Sequence, residues 1–233
     1  MPSLALKGII VEMLVYPMNF LLEGKPCLVV GGGEVAARKV KGLLEAGAVV
    51  TVVSPEVCDV IAEFAKSGKV KWIESEWRAE FVEGNVLVSV ATDDEDINRQ
   101  AAEDARKSCI PVNVADKPQE CDFIIPAVLR RGLVTVAVGT GGASPALAAH
   151  IRSMLQDVVG FEYGLAADIL GKLREVLEKS GIESKKRMKI FNELVESGLA
   201  EKLREKDRSG AESLLRKVVG KYVDVAALLE DTP

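Results

Sequence analysis

The segment Cys27–Lys39, CLVVGGGEVAARK, constrains this chain more than any other, because an apolar run enters three glycines and leaves as an amphipathic helix. Gly31, Gly33 and Ala36 match the pattern G-x-G-x-x-G/A. In that pattern the first glycine makes a tight turn, the second lets backbone approach a pyrophosphate, and the small third residue lets helix pack on strand. Such a turn offers peptide N–H groups and the positive end of a helix dipole to an anion. Glycine triplets are common, but here the context agrees. Val35, Val40, Leu43 and Leu44 recur at helical spacing, Gly47 stops the helix, and Val49–Val53 reads as a second buried strand. The segment reads as the first βαβ unit of a nucleotide-binding fold, with Gly31, Gly32, Gly33, Glu34 and Val35 at the ligand.

The acidic residue that holds the ribose hydroxyls of NAD about 20 residues further on is absent. Ser54, Pro55 and Glu56 stand in its place. Ser54 suits a ribose or a 2′-phosphate, and Glu56 reaches a hydroxyl if the turn folds back, so NAD and NADP both stay open. The absence of an arginine at the strand end favours NAD.

Strand and helix then alternate, as a parallel doubly wound sheet requires. A helix is expected near 57–67, then a strand Val70–Ile73, a buried strand Val86–Val90, a helix opened by Asp93-Asp94 and ending near Lys107, and a strand Ile110–Val114. Ligands of such sheets bind at the carboxyl ends of the strands. That rim holds Gly31 to Val35, Ser54 to Glu56, Ala91 and Thr92, and Asn113 and Val114 leading to Asp116.

From Lys117 the pattern changes. Phe123–Leu129 and Leu133–Val138 are short β-type runs joined by Arg130-Arg131-Gly132, which reads as a hairpin. A lone two-stranded ribbon is marginally stable, and an identical ribbon of a second subunit is an economical partner. A second glycine-rich turn, Gly139 to Pro145, then feeds a helix, with Ser144 at the N-cap and Pro145 at its first position. Both an anion-binding role and simple capping fit it. From about Gln156 the periodicity is helical throughout, with Gly181, Gly198, Gly210 and Gly220 as punctuation. The expected architecture is α/β: a Rossmann-like parallel sheet over 1–116, a small α+β dimerisation segment over 117–155, and an all-helical C-terminal domain over 156–233.

Composition narrows the function classes. The formal charge of −5 on 233 residues argues against a general nucleic-acid binder, which would carry a basic stripe. Cys27, Cys58, Cys109 and Cys121 are widely spaced and read as reduced, mostly buried thiols of a cytoplasmic protein. One histidine, His150, precludes a two-histidine metal cage in one chain and reads as a packing residue. No run approaches the ~18 uncharged residues of a membrane span. Residues 1–12 precede the fold's lead-in, so either Met13 is the native start or the apolar segment is a flap.

Three runs together resemble the siroheme synthase family: Val29 to Ala36; Asn113-Val114-Ala115-Asp116 with Phe123-Ile124-Ile125-Pro126-Ala127; and Thr140-Gly141-Gly142-Ala143-Ser144-Pro145-Ala146-Leu147-Ala148. The likeness spans about residues 16–225 and is narrowest to the precorrin-2 dehydrogenase module, which in some members is also a sirohydrochlorin ferrochelatase. It implies NAD-dependent oxidation of precorrin-2 to sirohydrochlorin in siroheme and tetrapyrrole biosynthesis, with ferrous iron as a substrate of the optional chelation. It also implies an intertwined homodimer and assigns the family's essential aspartate to Asp116. A carboxylate at a strand end facing the nicotinamide suits the base that takes the accompanying proton; a turn cap before Pro118 is the alternative. Precorrin-2 is an octacarboxylate, so its pocket needs donors. Lys117, Arg130, Arg131 and Arg152 supply cations, and Thr140, Gly141, Gly142 and Ser144 supply N–H and O–H groups. Arg130-Arg131 also reads as an exposed hairpin tip. Another NAD(P)-dependent oxidoreductase would show a catalytic His, Lys or Tyr-x-x-x-Lys at a strand end. A nucleotide-sensing domain would not need the segments after Asn113.

Overall fold

A computed structural model of the chain describes residues 14–230, which fall into two compact units divided between Ile125 and Pro126. The reading of residues 1–12, with Met13 as start, lies outside the described residues.

The first unit is a five-stranded sheet, with β1 Pro26–Val30, β2 Val49–Val53, β3 Val70–Ile73, β4 Leu87–Val90 and β5 Val112–Val114, ordered β3-β2-β1-β4-β5. Every pairing is parallel. Helices α1 Glu34–Glu45, α2 Asp59–Lys66 and α3 Glu95–Lys107 make the crossovers. Side chains alternate across a strand, so β1 sends Cys27 and Val29 to one core and Leu28 and Val30 to the other. The first core takes Ala36, Ala37, Val40 and Leu43 of α1 and Ile61 of α2. The second takes Ala101, Ala102 and Ala105 of α3. The chain winds outward from β1 to β3, returns to β4 beside β1, and winds the other way to β5, which puts the reversal between β1 and β4.

The second unit holds an antiparallel ribbon, β6 Ala127–Arg131 and β7 Val134–Val138, followed by α4 Pro145–Val158, α5 Phe161–Lys179, α6 Ser184–Glu196, α7 Leu199–Arg204, α8 Arg208–Val219 and α9 Val225–Leu228. The hairpin forms as expected, but its turn lies further along. Arg130 and Arg131 belong to β6, pairing with Thr135 and Val134. Gly132, at φ 54, supplies the positive φ at the first residue of the two-residue turn. The ribbon rests on α5 through glycine, since a Cβ on Gly164 would sit 2.5 Å from the Arg131 carbonyl oxygen. Leu173, Leu177, Leu194, Leu199, Leu215 and Val219 fill the helical core. Gly210 does not break this region; it lies in the first turn of α8, where its N–H donates to the Asp207 carboxylate at 2.8 Å.

The cysteines are less buried than expected. Only Cys27 is fully enclosed, where burial pushes its thiol up to about 11, while Cys109 is exposed after α3 in the left-handed region. His150 is likewise exposed rather than packed. No helix of the described residues is long and apolar enough to cross a membrane.

Candidate active site

At the head of α1 the three glycines meet three different demands. Gly31 adopts φ 114, and a Cβ there would lie 2.2 Å from the Ala91 carbonyl oxygen. Its N–H donates to Val53, and the Ala91 N–H donates to Val30, so the turn is tied into the sheet on both sides. Gly32 lies under the next loop, where a Cβ would come within 1.9 Å of the Glu56 carbonyl oxygen. The Gly32 carbonyl accepts from Cys58 N–H at 2.7 Å. Gly33 has ordinary backbone angles and nothing within 4 Å of where its Cβ would be.

Gly33 is also the N-cap of α1 and supplies no side-chain cap. The N–H groups of Glu34, Val35 and Ala36 belong to the first turn, where an α-helix has no internal acceptors, and Gly33 exposes them on an open side. This is a cradle that an anionic group would fill, at the crevice where the strand order reverses. Ala36, fully buried, lets α1 approach the sheet.

The neighbouring rim residues are held by their own bonds. The Ser54 carbonyl accepts from Trp72 Nε1 at 3.0 Å, and Pro55 and Glu56 are exposed beyond it. Thr92 is clasped by Asn98: the Thr92 hydroxyl donates to Asn98 Oδ1 at 2.8 Å, and the Asn98 amide donates to the Thr92 carbonyl at 2.9 Å. Asp94 caps α3 by accepting from the N–H groups of Asp96 and Ile97.

At the end of β5, Val114 is buried in the α3-side core. Asn113 is buried on the α1 side, and its side chain bonds within the protein. Oδ1 accepts from Lys39 Nζ at 2.7 Å, and Nδ2 donates to the Phe123 carbonyl at 3.0 Å. Asp116 follows in the left-handed region at φ 58, exposed, with no hydrogen bond or ion pair to the described residues. Lys117 turns away to Glu95 of α3 at 3.3 Å.

The other residues expected at the substrate stand in the second unit. Thr140 and Ser144 close the second glycine turn on themselves: Ser144 N–H donates to the Thr140 hydroxyl at 3.0 Å, and the Ser144 hydroxyl accepts from Leu147 N–H at 3.2 Å. Gly141 and Gly142 both take positive φ there. Arg131 donates from Nε to the Val159 carbonyl at 3.0 Å and stacks 4.6 Å above Phe161. Arg130 is exposed on β6. Arg152 Nε is buried without a hydrogen-bond partner among the described residues.

An NAD(P)-binding family model matches residues 18–127. Siroheme synthase of Methylobacillus flagellatus is 34% identical over 203 residues, 87% of this chain. That of Methylococcus capsulatus is 41% identical over 185 residues, 79% of this chain. Over most of its length the chain is homologous to the siroheme synthases. It spans 44% and 39% of the lengths of those two siroheme synthases. Among solved structures, SirC, a precorrin-2 dehydrogenase, matches with a TM-score of 0.73 and 26% identity, covering 89% of this chain and all of SirC. The siroheme synthase likeness thus runs through both units rather than through the glycine motif alone.

One residue of this siroheme synthase relative escaped the sequence reading. Lys39 occupies a position of the stripe Ala36, Lys39, Val40, Leu43, spaced i, i+3, i+4, i+7, where every other member is buried and apolar. A cation on an apolar stripe, like an asparagine inside the run Val112–Val114, was the available signal.

Proposed function

We propose that this chain is a precorrin-2 dehydrogenase that oxidises precorrin-2 to sirohydrochlorin with NAD. The observation that carries the reading is the exposed, unpaired carboxylate of Asp116 at the end of β5, on the same carboxyl rim as the open helix start at Gly33, in a chain homologous to the siroheme synthases. The cradle fits the cofactor, since Gly33 leaves open the space in front of the N–H groups that would hold its pyrophosphate. The nicotinamide supplies the hydride acceptor. Asp116 takes the proton lost beside the broken C–H bond, and products and reactants balance as precorrin-2 plus NAD⁺ giving sirohydrochlorin, NADH and H⁺. NAD rather than NADP is favoured because Ser54, Pro55 and the exposed Glu56 present no cation to a 2′-phosphate. Glu34, Val35, Ala91, Thr92 and Val114 complete the cofactor's surroundings.

Lys117, Arg130, Arg131, Arg152 and the Thr140–Ser144 turn are the proposed donors for the substrate carboxylates. A second copy of the chain is the proposed cover for Leu133, Leu147, Met154 and Val158, all at least half exposed, giving a cytoplasmic homodimer. Anaerobic incubation with precorrin-2 and NAD should produce NADH and the sirohydrochlorin spectrum together. Unchanged absorbance with NAD bound would refute the assignment. Later addition of ferrous ion tests whether the chain also inserts iron.

A further inference from the structure

Asp116 is exposed in a left-handed conformation and makes no hydrogen bond of its own among the described residues, so its neighbours decide where its carboxylate stands. It is the third residue of a turn running from Val114 to Lys117. The bond that closes the turn, from the Lys117 N–H to the Val114 carbonyl, is stretched to 3.5 Å, beyond the range of about 2.7–3.2 Å common for such bonds. A residue other than glycine persists at positive φ only where its surroundings over-determine it. A turn so weakly closed needs a second clasp.

Cys121 supplies one. Its Sγ accepts from the Val114 N–H at 3.2 Å and from the Asn113 amide at 3.4 Å, and it faces the carbonyls at both ends of the turn, Val114 at 3.2 Å and Lys117 at 3.3 Å. The single S–H serves one of those two carbonyls at a time. Burial pushes the half-buried thiol up, so its proton stays in place to donate. The segment that carries the sulfur is fixed by bonds that do not involve it. Asp122 N–H donates to the Val112 carbonyl at 2.8 Å, Asp122 Oδ2 accepts from the Val112 N–H at 3.0 Å, the Asn113 amide donates to the Phe123 carbonyl at 3.0 Å, and Arg106 of α3 donates to the Glu120 carbonyl. The flanks of the turn are held as well, by Ala115 N–H on the Val90 carbonyl and Glu120 N–H on the Lys117 carbonyl, each at 2.9 Å. Cys121 therefore reaches from a rigid strap to both ends of the turn, with Asp116 between them.

We propose that Cys121 is a positioning residue for the oxidation: its thiol, bonded to Val114 and Lys117, holds the left-handed turn that aims the Asp116 carboxylate. The competing role is packing, since Cys121 also borders the α3-side core. The proposal rests on the reading of Asp116 as the base.

The test compares Cys121→Ser, which keeps a donor and an acceptor, with Cys121→Val, which keeps the bulk and loses both. A misplacement of about 1 Å can cost about 10²-fold, so kcat for precorrin-2 oxidation should fall about 10- to 100-fold in Cys121→Val, with NAD affinity by calorimetry within about threefold of the wild type. Cys121→Ser should recover most of the loss. Wild-type turnover in Cys121→Val, or Cys121→Ser no faster than Cys121→Val, would overturn the proposal and leave the sulfur a packing role. Cys121→Ala takes the place of Cys121→Val in the same comparison should the latter fail to fold. A second measurement adds Cys121→Val to Asp116→Asn. The residual turnover of Asp116→Asn should fall no further, because the carboxylate that the thiol aims is already gone. An equal proportional loss in both backgrounds would overturn the proposal. Turnover retained in Asp116→Asn itself would instead refute Asp116 as the base, a failure read from that variant without reference to Cys121.

Discussion

Gly33→Asp separates binding from stability more cleanly than any other substitution in the cofactor cradle. Gly33 is the N-cap of α1, its φ of −80° is one any residue adopts, and nothing lies within 4 Å of its Cβ position. Aspartate is a better N-cap than glycine, by a few tenths of a kcal/mol, and its charge suits the helix N-terminus by about 0.3–1 kcal/mol. The folded state should therefore be as stable as the wild type or slightly more so. The same carboxylate would accept the very N–H groups offered to the pyrophosphate and set a like charge against it. At about 4 Å and an effective dielectric of about 20, that repulsion is about 4 kcal/mol, close to a thousandfold in affinity. Chemical denaturation should report an unchanged or raised midpoint, while calorimetry reports NAD binding lost. Binding within tenfold of the wild type would refute the placement of the pyrophosphate. The contrast is Gly32→Ala, whose Cβ would collide with the Glu56 carbonyl and should lower stability as well as affinity.

Asp116→Asn should cut dehydrogenase turnover by about 10²- to 10⁴-fold with NAD affinity kept, measured by NADH formation and calorimetry. Asparagine tolerates the left-handed backbone that Asp116 adopts, so the melting temperature should hardly change. Light scattering in dilute solution should give twice the mass of one chain, and Met154→Glu, which puts a charge on the exposed apolar side of α4, should shift the protein toward monomer. Glu162 is buried at the head of α5; burial raises its carboxyl, but the Arg204 guanidinium, at 2.6 and 2.9 Å, holds it net below the usual carboxylate range. A carboxyl lowered in the folded state stabilises it above the unfolded value of about 4.3 and ceases to as pH falls through the folded one. The stability gap between wild type and Glu162→Gln should thus be constant from pH 6 to 8 and shrink below about pH 4 in denaturation curves.

The five strands, their parallel pairing and the glycine turn at α1 were legible in the chain because each depends on local pattern: a period of two or an unbroken apolar run for strands, a period of 3.6 for helices, and glycine where backbone angles or close approach demand it. Gly31, Gly32 and Gly33 stood in one motif, yet only packing against Ala91 and Glu56 distinguishes two that serve the fold from one that leaves room for a ligand. The hairpin was likewise legible, but its turn narrowed from Arg130-Arg131-Gly132 to Gly132-Leu133. Two arginines look like a solvated tip until Gly132 is seen to carry the positive φ and Arg131 to reach Val159. Asn113 looked like a cofactor ligand because it ends a strand at the rim. Whether it faces the ligand or the protein depends on which side of β5 meets α1, and Lys39 arrives from 74 residues away to claim its oxygen. Local periodicity is written in neighbours along the chain and survives reading one residue at a time. A hydrogen bond between distant residues depends on the geometry of a whole sheet, and it exists only once that sheet has folded.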